Sequence, residues 1–427
     1  MTPPTSLRVL QMSTSDSGNG AARAAYRLHE GLRAEGVDSQ MLVQRKNGHS
    51  QFVHSPSSRG GRLFAQFRSD LDGMPLRLFP RPGGEFFSLA WFPSNLVDRI
   101  ESRSPDIVHL HWVNSGFLRL ESLRGIRRPM VWTLHDMWPL TGGCHYAGDC
   151  RRYETGCGAC PQLRRNWDRD LSSWVWRRKR RAWRHLPLTI VTPSRWLADV
   201  VRRSPLLRDF PVTVIPNGLD TQTFKPLDRV QARQILSLPQ DKRLILFGAF
   251  GGTSDRRKGF DLLQEALALL AKEQNLKEVV ELVVFGASEP ATPAGLPFRV
   301  RYMGMLADEV SLAILYAGVD VFVAPSREDN LPNTIVEALG CGTPCVAFNI
   351  GGMPDMIEPG LNGYLAKPFE VEDLAHGIAW VLSDPGRHQA LSRRAREKCL
   401  AEFSLQTQAG RYLELYRILR AATPCGG

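Results

Sequence analysis

The segment from Pro325 to Gly352 contains the side chains that are best suited to bind a polar ligand. Two carboxylates in it, Asp329 and Glu337, lie eight positions apart. Pro332 stands where a helix would begin, and Asn333 and Glu337 are four residues apart and would share one helical face. A carboxylate near free backbone N–H groups suits a ligand with both hydroxyls and phosphates, because a diol donates to the carboxylate while the helix end meets the phosphates.

This segment resembles the donor-binding motif of the family 4 retaining glycosyltransferases, which have the GT-B fold. Members usually have two glutamates separated by seven residues. Glu337 matches the second, and Asp329 occupies the first position with a side chain one methylene shorter. The resemblance implies that Glu337 orients the ribose and Asp329 the donor sugar, with further donor contacts from Asn330, Leu331 and Asn333. The alternative is an ordinary βα turn with a solvated acidic edge.

Two loops are candidates for binding the donor diphosphate. The loop between the first predicted strand and helix has glycines that let the backbone approach a ligand, at Gly18-Asn19-Gly20. In the second half, Lys258 matches the family's diphosphate-binding lysine, and Arg257 or the neighbouring Arg256 is a candidate second cation. The family usually has an arginine where this chain has Gly252. Without the resemblance, these would be a common βα loop and a solvated basic turn.

Histidines follow two of the predicted strands. His135 ends an apolar run and precedes Asp136, and it resembles the histidine that family members place near the donor sugar. The alternative is a core histidine bonded to Asp136. His109 and His111 end another strand, and we assign them mainly to structure near the acceptor pocket.

Four of the eight cysteines lie close together in the sequence, at Cys144, Cys150, Cys157 and Cys160. Four thiols within 17 residues, one pair at x2 spacing, are typical of a closed structural zinc site. Free thiols or a redox pair are the alternatives. A similar cysteine-rich insert occurs in family members that assemble exopolysaccharides. We expect the remaining four to be small buried side chains, at Cys341, Cys345, Cys399 and Cys425.

Tryptophans alternate with arginines and lysines from residue 164 to residue 185. This composition suits a membrane interface with anionic lipid. It also suits nucleic acid, and a solvated helix with inward-facing tryptophans is the third interpretation. The formal net charge of +11 is compatible with nucleic acid, anionic lipid and phosphorylated substrates. For a glycosyltransferase, we favour contact with a membrane that holds a lipid-linked acceptor, and we expect no nucleic-acid partner.

Short apolar strands alternate with helices along both halves of the chain, which predicts parallel sheets covered on both faces. We expect an α/β fold of two Rossmann-like, doubly wound domains facing a cleft. We predict an N-terminal acceptor-side domain at 1–212, with insertions at about 50–103 and 140–185. An interdomain crossing at 213–220 leads to a donor domain at 221–403. The C-terminal helix at 404–427 is predicted to cross back to the N-terminal domain.

The chain of 427 residues has no run of 18 apolar residues and no secretory N-terminal pattern, so we expect a cytoplasmic protein at the inner face of the plasma membrane. The resemblance implies transfer of a sugar from a UDP- or GDP-sugar to a hydroxyl of a lipid-linked saccharide in cell-surface polysaccharide synthesis. No cofactor is expected for catalysis. The rival functions are a nucleotide-sugar epimerase and a non-catalytic protein that binds nucleotide sugars or nucleic acid.

Overall fold

The computed structural model describes residues 7–56, 58–79, 86–164, 166–248, 253–289, 295–306 and 308–422, without the side chains of Arg62, Gln274 and Asn275. Gly252 and Cys425 lie outside the described residues. The chain forms two compact units. The first contains Met1–Pro216 together with Gln408–Gly427, and the second contains Asn217–Thr407.

The first unit is built on a parallel sheet whose seven described strands have the order β3-β2-β1-β4-β5-β6-β7. Its central strands are short and apolar, and the IVHL and MVWT runs are buried at every position, as expected for a sheet covered on both faces. The strands are β1 (Arg8–Ser15), β2 (Asp38–Arg45), β3 (Val53–His54), β4 (Ile107–Leu110), β5 (Met130–Thr133), β6 (Leu188–Thr192) and β7 (Val212–Val214).

Helices flank this sheet and also form the excursions from it. The first helix begins at an Asn19 cap whose side-chain oxygen accepts from the Ala22 N–H. The described α-helices of this part are α1 (Gly20–Ala34), α2 (Arg59–Gly73), α3 (Leu96–Glu101), α4 (Leu171–Trp183) and α5 (Arg195–Arg203). The predicted insertion at 50–103 therefore contains β3, α2 and α3.

The second unit has a six-stranded parallel sheet in the order β10-β9-β8-β11-β12-β13 within the described residues. The strands are β8 (Arg243–Gly248), β9 (Val280–Phe285), β10 (Arg299–Tyr302), β11 (Val321–Ala324), β12 (Cys345–Phe348) and β13 (Gly363–Ala366). The helices are α6 (Arg229–Ile235), α7 (Phe260–Leu270), α8 (Gln274–Lys277), α9 (Glu309–Gly318), α10 (Asn333–Gly340), α11 (Met353–Met356), α12 (Val371–Ser383) and α13 (Pro385–Glu402).

The predicted fold class is confirmed, since both units are α/β with parallel sheets. In each sheet the strand order reverses beside the first strand, at β1/β4 and at β8/β11. Ligands of doubly wound sheets bind at the carboxyl ends of the strands at such a point. The loops that follow these four strands are therefore the expected positions of a ligand-binding site.

The last helix, α14 (Leu405–Ala422), supplies side chains to the core of the first unit. Tyr412 and Tyr416 are fully buried beside strands β4 and β5. The Tyr416 hydroxyl lies 2.6 Å from His109 Nδ1, and the Tyr412 hydroxyl lies 2.7 Å from Thr133 Oγ1. No helix among the described residues combines the length and apolar character needed to cross a membrane.

Candidate active site

A cluster of charged side chains joins two loops at the carboxyl ends of β8 and β11. Asp329 is buried, and its Oδ2 accepts from Lys258 Nζ at 2.6 Å and from Arg257 Nη1 at 3.2 Å. Burial favours the neutral acid, but the two cations outweigh this effect and hold the pKa of Asp329 below its usual value. Burial also lowers the pKa of Lys258, and Asp329 opposes that change. The structure thus brings together three residues that the sequence places 71 and 72 positions apart.

Glycines allow these loops to pack closely. Gly259 has φ +71°, and a Cβ there would lie 1.9 Å from the Pro325 carbonyl oxygen. Gly351 has φ +53°, and its Cβ would lie 2.1 Å from the Asp329 carbonyl oxygen. Both positions need glycine for backbone conformation and for space. The glycine of the Lys258-Gly259 pair therefore has a structural role, and the lysine supplies the positive charge.

Glu337 lies in the middle of α10 and is almost completely buried. Its Oε2 accepts from the Tyr316 hydroxyl at 3.2 Å. Asn333 is the first residue of the same helix, and its Oδ1 accepts from the Asn217 amide at 3.1 Å. A buried carboxylate requires hydrogen-bond donors. The role of Glu337 in holding a hydroxyl-bearing ligand stays a prediction from the sequence.

The N-terminal end of α10 faces Lys258 across a small cavity. The N-cap residue of this helix is Pro332, whose side chain makes no capping hydrogen bond. The cavity has a volume of about 10 Å³, and its lining includes Lys258, Gly248, Pro332 and Thr334. Helix N–H groups and an ammonium are complementary to a phosphate oxygen. Asn330 and Leu331, the other predicted donor contacts, are buried in the loop that leads to this helix.

The glycine loop of the first unit lies at the switch point of its sheet, after β1. Gly18 has φ +99°, and the Asn19 side chain is engaged in capping α1. Gly20 is the first residue of that helix. The nearby carboxylate of Asp16 accepts from the backbone N–H groups of Asn47 and Gly48 at 2.8 and 2.9 Å. The Asn19 amide oxygen is used by the helix cap, and backbone N–H groups at a helix start are suited to an anion.

His135 follows the carboxyl end of β5, as predicted, and is partly buried. Its Nε2 lies 3.1 Å from Nδ1 of His111, and the two rings stack with centroids 5.4 Å apart. Burial lowers the pKa of His135 to about 4, although Asp136 acts in the opposite direction. His135 is therefore neutral at pH 7, and it can offer a hydrogen bond but no positive charge.

The neighbouring Asp136 bonds to other partners. Its Oδ2 lies 2.6 Å from His145 Nδ1 and accepts from Trp112 Nε1 at 2.8 Å. His145 Nε2 in turn lies 3.0 Å from Ser88 Oγ. This Asp–His–Ser chain is buried and fixes the loop that follows β5. Sequence reasoning missed it because Ser88 and His145 lie 57 residues apart.

The four clustered cysteines line one small cavity of about 20 Å³ in the same loop region. The Gly142 N–H donates to Cys157 Sγ at 3.1 Å, and burial raises the pKa of the Cys157 thiol to about 12. Burial also raises the pKa of Cys144 and Cys160. Within the described part of the chain, no three His, Cys, Asp or Glu side chains form a group that could hold a metal ion. Zinc at these cysteines therefore stays a prediction from their spacing.

The basic, tryptophan-rich segment folds largely as α4 and has two faces. Trp176 and Trp183 are buried, whereas Trp174 is 39% and Trp167 is 60% exposed. Lys179 is fully buried, and its ammonium donates to the carbonyl oxygens of Trp138 and Thr141. The exposed face presents arginines, at Arg177, Arg180, Arg181 and Arg184.

Comparison with known proteins adds an independent line of evidence. The model "Glycosyltransferase Family 4" matches residues 18–223, and the model "Glycosyl transferases group 1" matches residues 228–398. Among curated relatives, the colanic acid biosynthesis glycosyl transferase WcaC of Escherichia coli K12 is 27% identical, with 94% of this chain and 96% of that protein covered. The D-inositol 3-phosphate glycosyltransferase of Mycobacterium marinum is 28% identical, and the match spans 63% of its length.

Solved structures of similar fold include the sucrose-phosphate synthase of Thermosynechococcus elongatus, with a TM-score of 0.69 and 21% identity over 98% of this chain and all of that chain. Anabaena Alr3699/HepE, solved with UDP and glucose, has a TM-score of 0.62 and 18% identity over 96% of this chain and 99% of that chain. Both family models describe glycosyltransferases, and the two parallel-sheet units match the fold of these solved structures. The chain is a glycosyltransferase of the GT-B group.

Proposed function

We propose that this enzyme transfers a sugar from a UDP- or GDP-sugar to a hydroxyl of a lipid-linked saccharide, with retained anomeric configuration, in the synthesis of a cell-surface polysaccharide. The observation that best supports a nucleotide-sugar donor is the arrangement in the second unit. There, Lys258 and the start of α10 border one cavity, and α10 also contains the buried carboxylate of Glu337.

Each of these groups has a chemical role in the proposal. Lys258 and the first N–H groups of α10 bind the donor diphosphate, and Glu337 accepts hydrogen bonds from the ribose diol. Asp329 contacts the donor sugar, and His135 contributes a neutral hydrogen-bonding group from the first unit. Arg257 keeps Asp329 ionised when Lys258 turns towards the phosphates, because its Nη1 already contacts the same carboxylate.

The proposed transfer is a front-side substitution. The acceptor oxygen forms a bond to the anomeric carbon while the bond from that carbon to the diphosphate oxygen breaks. The acceptor's proton passes to the departing diphosphate, so the products are a glycoside and a nucleoside diphosphate. Lys258 and the α10 N-terminus stabilise the charge that develops on the diphosphate, and such electrostatic stabilisation is usually the largest contribution to catalysis.

The names of similar proteins support the finer parts of the proposal. UDP is favoured over GDP because the Anabaena structures were solved with UDP and with UDP-glucose. A polysaccharide product is favoured because the E. coli relative is named for colanic acid biosynthesis. Contact with an anionic membrane is assigned to the exposed arginines of α4, together with Trp167 and Trp174.

Titration of the purified protein with UDP and with GDP by calorimetry tests the donor site. We expect one nucleotide to bind tightly and Glu337→Ala to abolish that binding, because the ribose diol loses its acceptor. Glu372→Ala removes an exposed carboxylate of the same unit and should leave binding unchanged. If neither nucleotide binds the wild type, or if Glu337→Ala binds normally, the assigned donor site is wrong.

A further inference from the structure

A chain of buried hydrogen bonds ends at His135, the histidine to which the proposed function gives a hydrogen-bonding role. His111 links His135 to Gln11. His111 Nδ1 lies 3.1 Å from His135 Nε2, and His111 Nε2 lies 2.9 Å from the side-chain amide of Gln11. Gln11 is in the middle of β1 and is fully buried. The direction of each hydrogen bond in this chain follows from the orientation of that one amide.

Two backbone groups of α1 fix the orientation of the Gln11 amide. One amide position lies 3.2 Å from the carbonyl oxygen of Ala25, and the other lies 3.3 Å from the N–H of His29. A carbonyl oxygen can only accept and a backbone N–H can only donate, so the amide nitrogen must face Ala25 and the amide oxygen must face His29. In this orientation the nitrogen also donates to His111 Nε2, and the oxygen accepts from Ser39 Oγ at 3.2 Å.

The tautomers of both histidines then follow. Burial lowers the pKa of His111 well below its ordinary value and that of His135 to about 4, so both rings are neutral at pH 7. A neutral imidazole has one N–H. Because Gln11 donates to His111 Nε2, the hydrogen of His111 is on Nδ1 and points to His135 Nε2. The hydrogen of His135 is therefore on Nδ1.

The far end of the chain agrees with this direction. The Ser39 hydroxyl donates its one hydrogen to the Gln11 oxygen, so it must accept from its other partner, His29 Nδ1, at 2.9 Å. This places the hydrogen of His29 on Nδ1. Its Nε2 then has no hydrogen, and within the described structure it makes no hydrogen bond, with the Glu30 carboxylate oxygen 3.6 Å away.

We propose that Gln11 is a positioning residue that acts through His111 to hold His135 in the Nδ1–H tautomer, and so decides which ring atom of His135 donates a hydrogen bond to substrate. The proposal rests on the role of His135 in the proposed function. The Nδ1–H group of His135 then donates to an oxygen acceptor, such as a sugar hydroxyl. Its Nε2 has no hydrogen and cannot donate.

Nitrogen-15 NMR of histidine-labelled, deuterated protein at pH 7 tests this directly, with His135→Asn to assign the ring signals. We expect a protonated Nδ1 and an unprotonated Nε2 for His135. The opposite pattern, or an imidazolium pattern, would overturn the proposal. This readout needs no substrate, so it stands apart from any failure of the donor-site test with Glu337→Ala.

The variant Gln11→Met removes the amide donor while keeping a long buried side chain. We expect His135 to change to a mixture of tautomers, and turnover to fall about tenfold with nucleotide binding by calorimetry unchanged, because one oriented hydrogen bond is lost part of the time. The control Ser39→Ala keeps both backbone groups that orient Gln11, so the His135 pattern should stay that of the wild type. An unchanged His135 tautomer in Gln11→Met would show that Gln11 does not set it.

Discussion

Lys258 and Asp329 form an ion pair with 2.6 Å between Nζ and Oδ2. In the proposed function, a donor diphosphate therefore competes with this carboxylate for the lysine. Arg257 lies close enough to hold Asp329 when this happens. Lys258 then pairs with the diphosphate and Arg257 with Asp329, so each anion keeps a cationic partner, which offsets part of the cost of desolvation. At the scale of single residues, Asp329 is therefore the competitor of the donor diphosphate in the proposed function.

The variant Asp329→Asn tests this competition. Removal of the carboxylate leaves Lys258 and Arg257 without their anion, so we expect UDP to bind about tenfold more tightly, in line with the loss of one partly buried charge pair. Turnover should fall, because the proposed contact with the donor sugar is weakened. Calorimetry with UDP and a sugar-transfer assay measure the two effects. Asp329→Glu restores the charge and should behave like the wild type, and weaker UDP binding by Asp329→Asn would contradict the competition.

The sequence predicted the positions of these residues better than their partners. Asp329, Glu337 and Lys258 stand in recognisable local patterns at strand ends and at a helix start, and the structure places them at the ends of β8 and β11 and on α10. The ion pair between Lys258 and Asp329 depends on two loops meeting in space, and no local pattern encodes this. The bond between His145 and Ser88 escaped prediction for the same reason.

Among the elements, the strands made of compact apolar runs, such as β4 and β5, have the clearest signal in the sequence. The strands with the weakest signal are short or polar, namely β3, β10 and β13. Strand β10 has the sequence RVRY, and β3 has only two residues. Both lie at the edge of a sheet, where burial on both faces is not required and the apolar signal is correspondingly weak.

Burial of histidines between α1, β1 and β2 gives the first unit a defined pH dependence. Burial lowers the pKa of His29 from 6.5 to about 4, so between these values the unfolded chain binds a proton that the folded chain does not. Stability therefore falls as the pH drops from 6.5 towards 4, by on the order of 3 kcal/mol for this group.

Urea unfolding followed by tryptophan fluorescence at pH 7 and pH 5 measures this effect, because every tryptophan except Trp380 is in the first unit. We expect a lower midpoint at pH 5 and a smaller difference between the two midpoints in His29→Gln. Equal midpoints for the wild type at both pH values would contradict the argument.

The loop with four cysteines gives a prediction about metal content. From their spacing, we expect one zinc ion per chain after purification under reducing conditions, with loss of zinc in Cys157→Ser. Cys399→Ala alters a buried cysteine of the second unit and should leave the metal content unchanged. Elemental analysis that finds no zinc in the wild type would assign the cluster to free thiols, whose pKa values burial raises at Cys144, Cys157 and Cys160.

For the molecule as a whole, the exposed arginines of α4 predict binding to anionic membranes. The double variant Arg180→Gln/Arg181→Gln should bind phosphatidylglycerol vesicles about thirtyfold more weakly, since each arginine near such a surface contributes about 1 kcal/mol. The control Arg411→Gln/Arg417→Gln changes the net charge by the same amount from exposed positions on α14.

Vesicle co-sedimentation of both variants separates a local contact from a general effect of charge. Equal binding by the two variants would contradict the assignment to α4. In that outcome, the apolar residues exposed on α2, which are Leu63, Phe64 and Phe67, become the surface to mutate next.

The division of the chain has a consequence for biosynthesis. Tyr412 and Tyr416 complete the core of the first unit, yet a ribosome makes them almost two hundred residues after the rest of that unit, once the whole second unit has been synthesised. Domains usually fold in order as they emerge. Here the second unit can finish before the first, and until release the nascent protein leaves His109 and Thr133 without the hydroxyls that cover them. A stop codon before Gln408 would remove no predicted donor-site residue, yet it would produce a first unit with an open core, which is a substrate for chaperones and proteases.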